Sequence, residues 1–293
     1  MSRFGTLHGR IGALSETQLF FIGGSMKSGT TWLQLLLDAH PHVLCKGESH
    51  VANHLAQGLL RCLDVHNQKI EQKNRTVFSE LDGFPLYNAE HLAYLVGAAL
   101  LLPLSKLTGT PPHAVGEKTP DNVRYFDVLR AVFPAARFLH VVRDGRDCAV
   151  SAWFHNLRTN PAWLQSKFAS IGNYALMFAR EWAADITHAE RFAAANPGAM
   201  LTVRYESLLD SAPAVLRETL AFLDVPADEP AIAQCCDAAS FERLSAGRTQ
   251  GSEDRTSFFR NGTHGNWRAH LDPATADLFF EAAAPWLQRL GYA

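Results

Sequence analysis

Leu19-Phe20-Phe21-Ile22-Gly23-Gly24-Ser25-Met26-Lys27-Ser28-Gly29-Thr30-Thr31-Trp32-Leu33-Gln34-Leu35-Leu36-Leu37 decides the reading of this chain. Its apolar opening, with aromatic and β-branched residues, its glycine-containing middle and its leucine-rich close predict a buried strand, a tight loop and a helix. Such a loop leaves unpaired backbone N–H groups at a helix N-terminus, and its glycines let them curl around an anion without Cβ clashes. A phosphate or sulfate cradle is the expectation, against the alternative of a plain structural turn. Gly24 and Gly29 have the spacing of the Walker A glycines, but Thr30 stands where that motif wants its lysine, and Lys27 lies inside the loop instead. This departure argues against an ordinary ATPase or GTPase.

The run Met26-Lys27-Ser28-Gly29-Thr30-Thr31-Trp32 resembles the loop of the sulfotransferases that use 3′-phosphoadenosine 5′-phosphosulfate (PAPS), where it holds the donor's 5′-phosphosulfate. The resemblance implies that Lys27, Ser28, Gly29, Thr30, Thr31 and Trp32 bind the cofactor, which leaves as adenosine 3′,5′-bisphosphate (PAP). It also implies an α/β fold, a P-loop-like three-layer α/β/α sandwich around a central parallel sheet.

With 293 residues, 47% of them hydrophobic, the chain can bury a substantial core. No long Pro/Gly/Ser linker divides it, so one domain over residues 1–293 is expected. A formal net charge of -2 leaves no general attraction for nucleic acid or anionic membrane, whereas a small anionic ligand needs only a local pocket. The five cysteines, Cys45, Cys62, Cys148, Cys235 and Cys236, have neither zinc-like spacing nor the even count of a disulfide framework, so a reduced, cytoplasmic protein is expected. Met1 to Gln18 lacks the apolar core of a signal peptide, and the apolar run Leu92 to Leu104 is short for a membrane span. Oligomeric state is left open, with a homo-oligomer allowed.

Downstream of the first helix, Asp38-Ala39-His40-Pro41 ends the helical pattern, and His42 to Cys45 reads as a strand leading into Lys46-Gly47-Glu48-Ser49-His50. Polar residues just past a strand's carboxyl end are where open α/β sheets place their chemistry, so Glu48 and His50 are acid/base candidates, with a solvated turn as the alternative. The segment resembles carbohydrate sulfotransferases, which carry a catalytic glutamate followed two positions later by histidine, and also the Gly-Glu stretch of protein-tyrosine sulfotransferases. His50 and His54 have the spacing of a helical metal pair, but no convincing third ligand accompanies them. Asn53 to Pro112 reads as mixed helical sequence, either an acceptor-shaping insert or packing helices. Ala114 to Pro120 reads as another strand ending in a charged turn. Its Glu117-Lys118-Thr119-Pro120 resembles a carbohydrate-sulfotransferase quartet whose lysine faces the transfer site. Steroid and phenol enzymes have a basic histidine where this chain has Pro120, which moves the base assignment to Glu48, with Glu117 as the alternative.

Phe138-Leu139-His140-Val141-Val142-Arg143-Asp144-Gly145-Arg146-Asp147, continuing to Ser151, is a second strand, loop and helix. Arg143 emerges from the strand and Ser151 follows about two helical turns on, so the pair can converge on one oxyanion. This is similar to the family's 3′-phosphate site. Tyr174 to Ala195 reads as a long helix stopped at Asn196-Pro197-Gly198, followed by a strand from Met200 to Tyr205. Arg204-Tyr205-Glu206 resembles the adenine-contacting segment, so Tyr205 lies against the base or in the core; Ser240-Phe241 resembles another adenine-side segment. In the loop from Gly247 to Trp267, Phe259 to Arg268 resembles the family's closing segment over the 3′-phosphate. It keeps Arg260, Gly262, Gly265 and Trp267 but carries Asn261 for lysine and Asn266 for aspartate.

These resemblances together imply transfer of a sulfuryl group from PAPS to a hydroxyl acceptor, small molecule or carbohydrate, with Lys27, Glu48, His50 and Lys118 as the catalytic set. No metal is expected, because lysines can balance the single charge of the transferred group. Protein-tyrosine sulfation by the same chemistry is an alternative. A P-loop small-molecule kinase and a non-catalytic nucleotide-binding module remain as other classes. The kinase would want a Walker lysine and a magnesium-binding carboxylate, and neither is clear here.

Overall fold

The computed structural model describes residues 2–107 and 112–292. The chain runs α1 (Arg3–Ser15), β1 (Gln18–Gly23), α2 (Thr30–Asp38), β2 (Val43–Gly47), a π-helical turn (Val51–Leu55), α3 (Ala56–Thr76), α4 (Ala89–Leu104), β3 (Ala114–Lys118), a 3₁₀ turn (Pro120–Arg124), α5 (Phe126–Val132), β4 (Arg137–Val142), α6 (Gly145–Thr159), α7 (Pro161–Lys167), α8 (Ile171–Ala195), β5 (Met200–Arg204), α9 (Tyr205–Phe222), α10 (Glu229–Ala238), α11 (Phe241–Leu244), a second 3₁₀ turn (Asn266–Ala269) and α12 (Pro273–Arg289).

The strands form one parallel sheet in the order β2-β3-β1-β4-β5. A parallel sheet is covered by helices on both faces, so its strands are apolar without alternation. β1 shows this directly. Leu19 and Phe21 enter one core with Leu129, Phe138 and Phe192, while Phe20 and Ile22 enter the opposite core with Leu33, Leu36 and Leu220. A third cluster, including Val150, Trp182 and Phe279, packs α6, α8 and α12 together. The expected three-layer architecture is therefore observed.

Register places the chemistry. Ile22 lies opposite Lys118 on one side and Leu139 on the other, Gly47 lies opposite Lys118, and Val142 lies opposite Arg204. The carboxyl ends of all five strands therefore lie along one edge of the sheet. From β1 the strand order departs in both directions, to β3 and β2 on one side and to β4 and β5 on the other. Such a switch point leaves a crevice beyond the strand ends.

Several boundaries differ from the sequence expectation. Pairing with β3 carries β2 on to Gly47, and Asp38 Oδ1 accepts from Cys45 N at 2.9 Å, which ties the strand back to α2. Helix α8 begins before Tyr174 because the Ser170 side chain accepts from Asn173 N and caps it earlier. The stretch from Asn53 to Pro112 is chiefly α3 and α4, with α3 mostly exposed; residues 108–111 of it lie outside the described residues. All five cysteines are free, and among the described residues no helix is long and apolar enough to cross a membrane.

Candidate active site

The loop after β1 carries Lys27 in the left-handed region, at φ 69°, where a non-glycine residue is strained. Gly29, at φ 105°, is required for a second reason: a Cβ there would lie 2.5 Å from the Tyr205 ring. The Lys27 ammonium sits 4.0 Å from the centroid of the Phe258 ring. Burial, with Arg143 and Arg158 nearby, lowers its pKa to about 8. Among the described residues no carboxylate forms an ion pair with it. Thr30 and Thr31 open α2, and Trp32 donates its indole N–H to Ala239 O at 2.9 Å. Ser28 is 1% exposed, and its Oγ is buried without a hydrogen-bond partner.

Arg143, just past β4, bridges two segments. It donates to Lys27 O at 3.3 Å and to Thr263 O at 3.0 Å, and its guanidinium lies 4.2 Å from the Tyr205 ring centroid. Its Nε has no partner. Ser151 comes from α6 and lines the same cavity as Arg143. Arg260 is paired with Glu253 and donates to Asn266 Oδ1 at 2.8 Å, so the asparagine standing in for aspartate keeps that contact without its charge. The Nε of Arg260 and the Oδ1 of Asn261 are buried and unpartnered. Three buried groups thus converge here with free polar atoms, which native interiors rarely leave unsatisfied.

On the other side, Glu48 and His50 both have left-handed backbone, at φ 55° and 50°. With Lys27 they are three of the five non-glycine residues in that conformation among the described residues, and the concentration of strain at one place marks a functional site. Lys118 Nζ, nearly fully buried, meets Glu48 Oε1 at 2.5 Å, and His50 Nε2 lies 4.0 Å from Glu48 Oε2. Glu117 behaves differently. Only 2% exposed, it accepts from Ser49 N at 2.8 Å, Thr119 Oγ1 at 2.6 Å and Asn122 Nδ2 at 2.8 Å. Its carboxylate is consumed in holding the turn. His50 and His54 stack ring on ring at 5.0 Å, and among the described residues no group of His, Cys, Asp or Glu side chains could hold a metal ion.

One cavity of about 340 Å³ is lined by Lys27, Gly29, Thr30, Thr31 and Trp32, by Glu48 and His50, and by Arg143, Ser151, Tyr205, Arg260, Asn261 and Gly262. Most of the residues singled out in the sequence therefore meet at one place. Ser28 and Lys118 do not line it: Ser28 lies beneath the loop and Lys118 reaches the cavity only through Glu48. The cavity also includes Asp121, His155 and Phe258, which sequence reasoning missed. His155 was within reach, since it follows Ser151 by one helical turn and shares its face. Burial and the Lys27 charge hold its pKa below the usual histidine value. Phe258 and Asp121 carry no such local signal. Trp32, Tyr205 and Gly262 also line a second cavity of about 510 Å³, whose other walls include Leu208, Ser240 and Phe241.

Residues 20–229 match the model of the Sulfotransferase family, and the chain belongs to that family. It is 27% identical over 213 residues to a protein-tyrosine sulfotransferase of Drosophila melanogaster, covering 72% of this chain and 39% of that protein. Protein-tyrosine sulfotransferase A of Caenorhabditis elegans is 26% identical over 282 residues, 93% of this chain and 66% of its own length. The chain thus spans well under half of the first relative and about two thirds of the second. In fold it is similar to a mouse sulfotransferase complexed with PAP, at TM-score 0.56 and 17% identity, covering 95% of this chain and 89% of that one. A sulfotransferase from Mycobacterium avium superposes at TM-score 0.57 and 11% identity, covering 98% of this chain and 80% of that one.

Proposed function

We propose that the protein moves a sulfuryl group from PAPS to a hydroxyl acceptor. The observation that carries this is the single cavity in which a strained lysine-bearing loop, a second set of cationic groups and a carboxylate with a neighbouring histidine face one another. The donor fits the residues present. Its two separated anionic groups match two separated cationic sets, and the unpartnered Arg143 Nε and Arg260 Nε, on residues of the cavity wall, are donors in want of acceptors. Lys27 with Thr30 and Thr31 would hold the 5′-phosphosulfate, with Ser28 enclosed behind the loop that carries them; Arg143, Ser151, Arg260 and Asn261 would hold the 3′-phosphate. The second cavity, walled by Trp32, Tyr205 and Phe241, would take the adenine. Tyr205 borders both cavities, which favours base contact over a purely structural role.

The donor, when bound, supplies an activated sulfuryl group; the remaining work belongs to the chain. Glu48 takes the acceptor proton, because its carboxylate lies on the cavity wall while Glu117 is enclosed. Lys118 fixes Glu48 through their ion pair, and His50 flanks it. Lys27 balances charge that develops on the departing phosphate. The acceptor end of the cavity, bordered by Glu48, His50, Asp121 and His155, is rich in hydrogen-bonding groups and supports a small hydroxylated molecule or a carbohydrate. The protein-tyrosine relatives support a tyrosine hydroxyl as a second reading. Transfer of labelled sulfate from PAPS, set against phosphate from ATP, to sugars, phenols and a tyrosine peptide tests the class and separates the acceptors.

Binding tests the two-site reading without an acceptor. PAP is expected to bind at least tenfold more tightly than AMP, since charge-assisted hydrogen bonds to the 3′-phosphate contribute about 1.5 to 3 kcal/mol each. Calorimetry with the two nucleotides measures this, and equal affinities would remove the second anion site.

A further inference from the structure

We infer that Asp147 is a positioning residue that docks the C-terminal loop onto the 3′-phosphate side of the cavity, and so sets the preference for a 3′-phosphorylated nucleotide. The inference rests on the second anion site proposed above.

Asp147 lies in the first turn of α6 and is completely buried, at 0% exposure. Its Oδ2 accepts from Gly265 N at 2.5 Å and its Oδ1 from Trp267 N at 2.9 Å. Both donors are main-chain groups of the loop that carries Arg260, Asn261 and Gly262. The same loop is tethered a second time where Arg143 donates to Thr263 O. Between these anchors the chain turns through Gly265 at φ 73°, and the guanidinium groups of Arg146 and Arg268 lie 4.1 Å and 4.4 Å from the Trp267 ring centroid. Asp147 and Arg143 belong to one segment, β4 into α6, so the loop is docked on the element that supplies the phosphate-facing arginine.

A direct electrostatic role would have the opposite sign. The Asp147 carboxylate stands 3.9 Å from Arg143 Nη2, and a negative charge there opposes an incoming phosphate. Asp147 is tolerable in an anion site only because its oxygens are committed to the two loop N–H groups, and a charged acceptor makes such hydrogen bonds strong. An asparagine would remove the opposing charge but leave an N–H group facing a main-chain N–H. The two roles therefore predict opposite changes in affinity.

Asp147→Asn is expected to bind PAP about tenfold more weakly than the natural protein, while AMP affinity changes by less than about twofold. Trypsin should cut the variant faster at Arg248, Arg255 or Arg260, with PAP protecting it poorly. Unchanged or tighter PAP binding by the folded variant would overturn the inference. Should Asp147→Asn fail to fold, hydrogen exchange on the natural protein decides: Gly265 and Trp267 amides must be protected without nucleotide, and fast exchange there overturns the docking role. If the natural protein itself binds PAP and AMP equally, the two-site reading fails instead, so the two failures are distinct.

Discussion

Glu48→Gln is expected to lower kcat by about two to four orders of magnitude while donor affinity changes by less than about twofold. A hydroxyl is a poor nucleophile until a base begins to remove its proton, and Gln keeps the shape of Glu while removing that basicity. The Gln carbonyl can still accept from Lys118, which limits the cost of leaving a nearly buried ammonium without its partner. A thermal melt of the variant checks that this contact survives. Glu117→Gln should have the smaller effect on turnover, because its carboxylate is occupied by Ser49 N, Thr119 Oγ1 and Asn122 Nδ2. Single-turnover rates with PAP calorimetry separate chemistry from donor binding. Near-normal kcat in Glu48→Gln, with loss in Glu117→Gln or His50→Ala, would reassign the base and leave the family membership untouched.

Lys27→Ala should reduce kcat by about two to three orders of magnitude and weaken donor binding less, since a charge that develops only during transfer needs its counter-charge most in the transition state. An unchanged kcat with a raised donor KM would make Lys27 an anchor only. The same lysine makes nucleotide binding pH-dependent. With its pKa lowered to about 8 by burial, Arg143 and Arg158, Lys27 begins to lose its proton as pH rises through about 8. A bound anion favours the ammonium and raises that pKa, so PAP affinity should fall above about pH 8, and binding there should take up protons. Calorimetry in buffers of different ionisation enthalpy detects the uptake, and Lys27→Met should abolish it.

The two strand-loop-helix turns proposed to bind anions were legible because each is local. A strand, its loop and the next helix are contiguous in sequence, and glycine, lysine or arginine at the turn expresses backbone and charge requirements within a few residues. Arg143 with Ser151 could be paired by counting helical turns, whereas Tyr205 was singled out by the resemblance of Arg204-Tyr205-Glu206 to the family's adenine-contacting segment. The placement of Ser28 was not legible for a related reason: the loop's composition does not say which side chains its curl points inward, and here Ser28 is enclosed while Lys27 and Thr30 are on the wall. Asp121 and Phe258 were illegible because they arrive from a turn and a loop whose positions depend on the rest of the fold.

Apolar runs broken by glycine and charge marked, from the sequence alone, the strand-loop-helix turns and the candidate acids and bases, and the family resemblance carried by those turns implied the parallel α/β architecture. Family resemblance ranked Glu48 above Glu117, but only the tertiary structure supplied a physical difference between them. Both follow or end a short strand beside a charged turn, and their local composition does not say which carboxylate is free. The β2–β3 register brings Gly47 opposite Lys118, so Glu48 lies just past the end of β2 while Glu117 stays inside β3. One carboxylate reaches the cavity wall with Lys118 behind it, and the other is enclosed by hydrogen-bond donors. Pairing across 70 residues of sequence depends on strand alignment and side-chain packing, which no local pattern encodes.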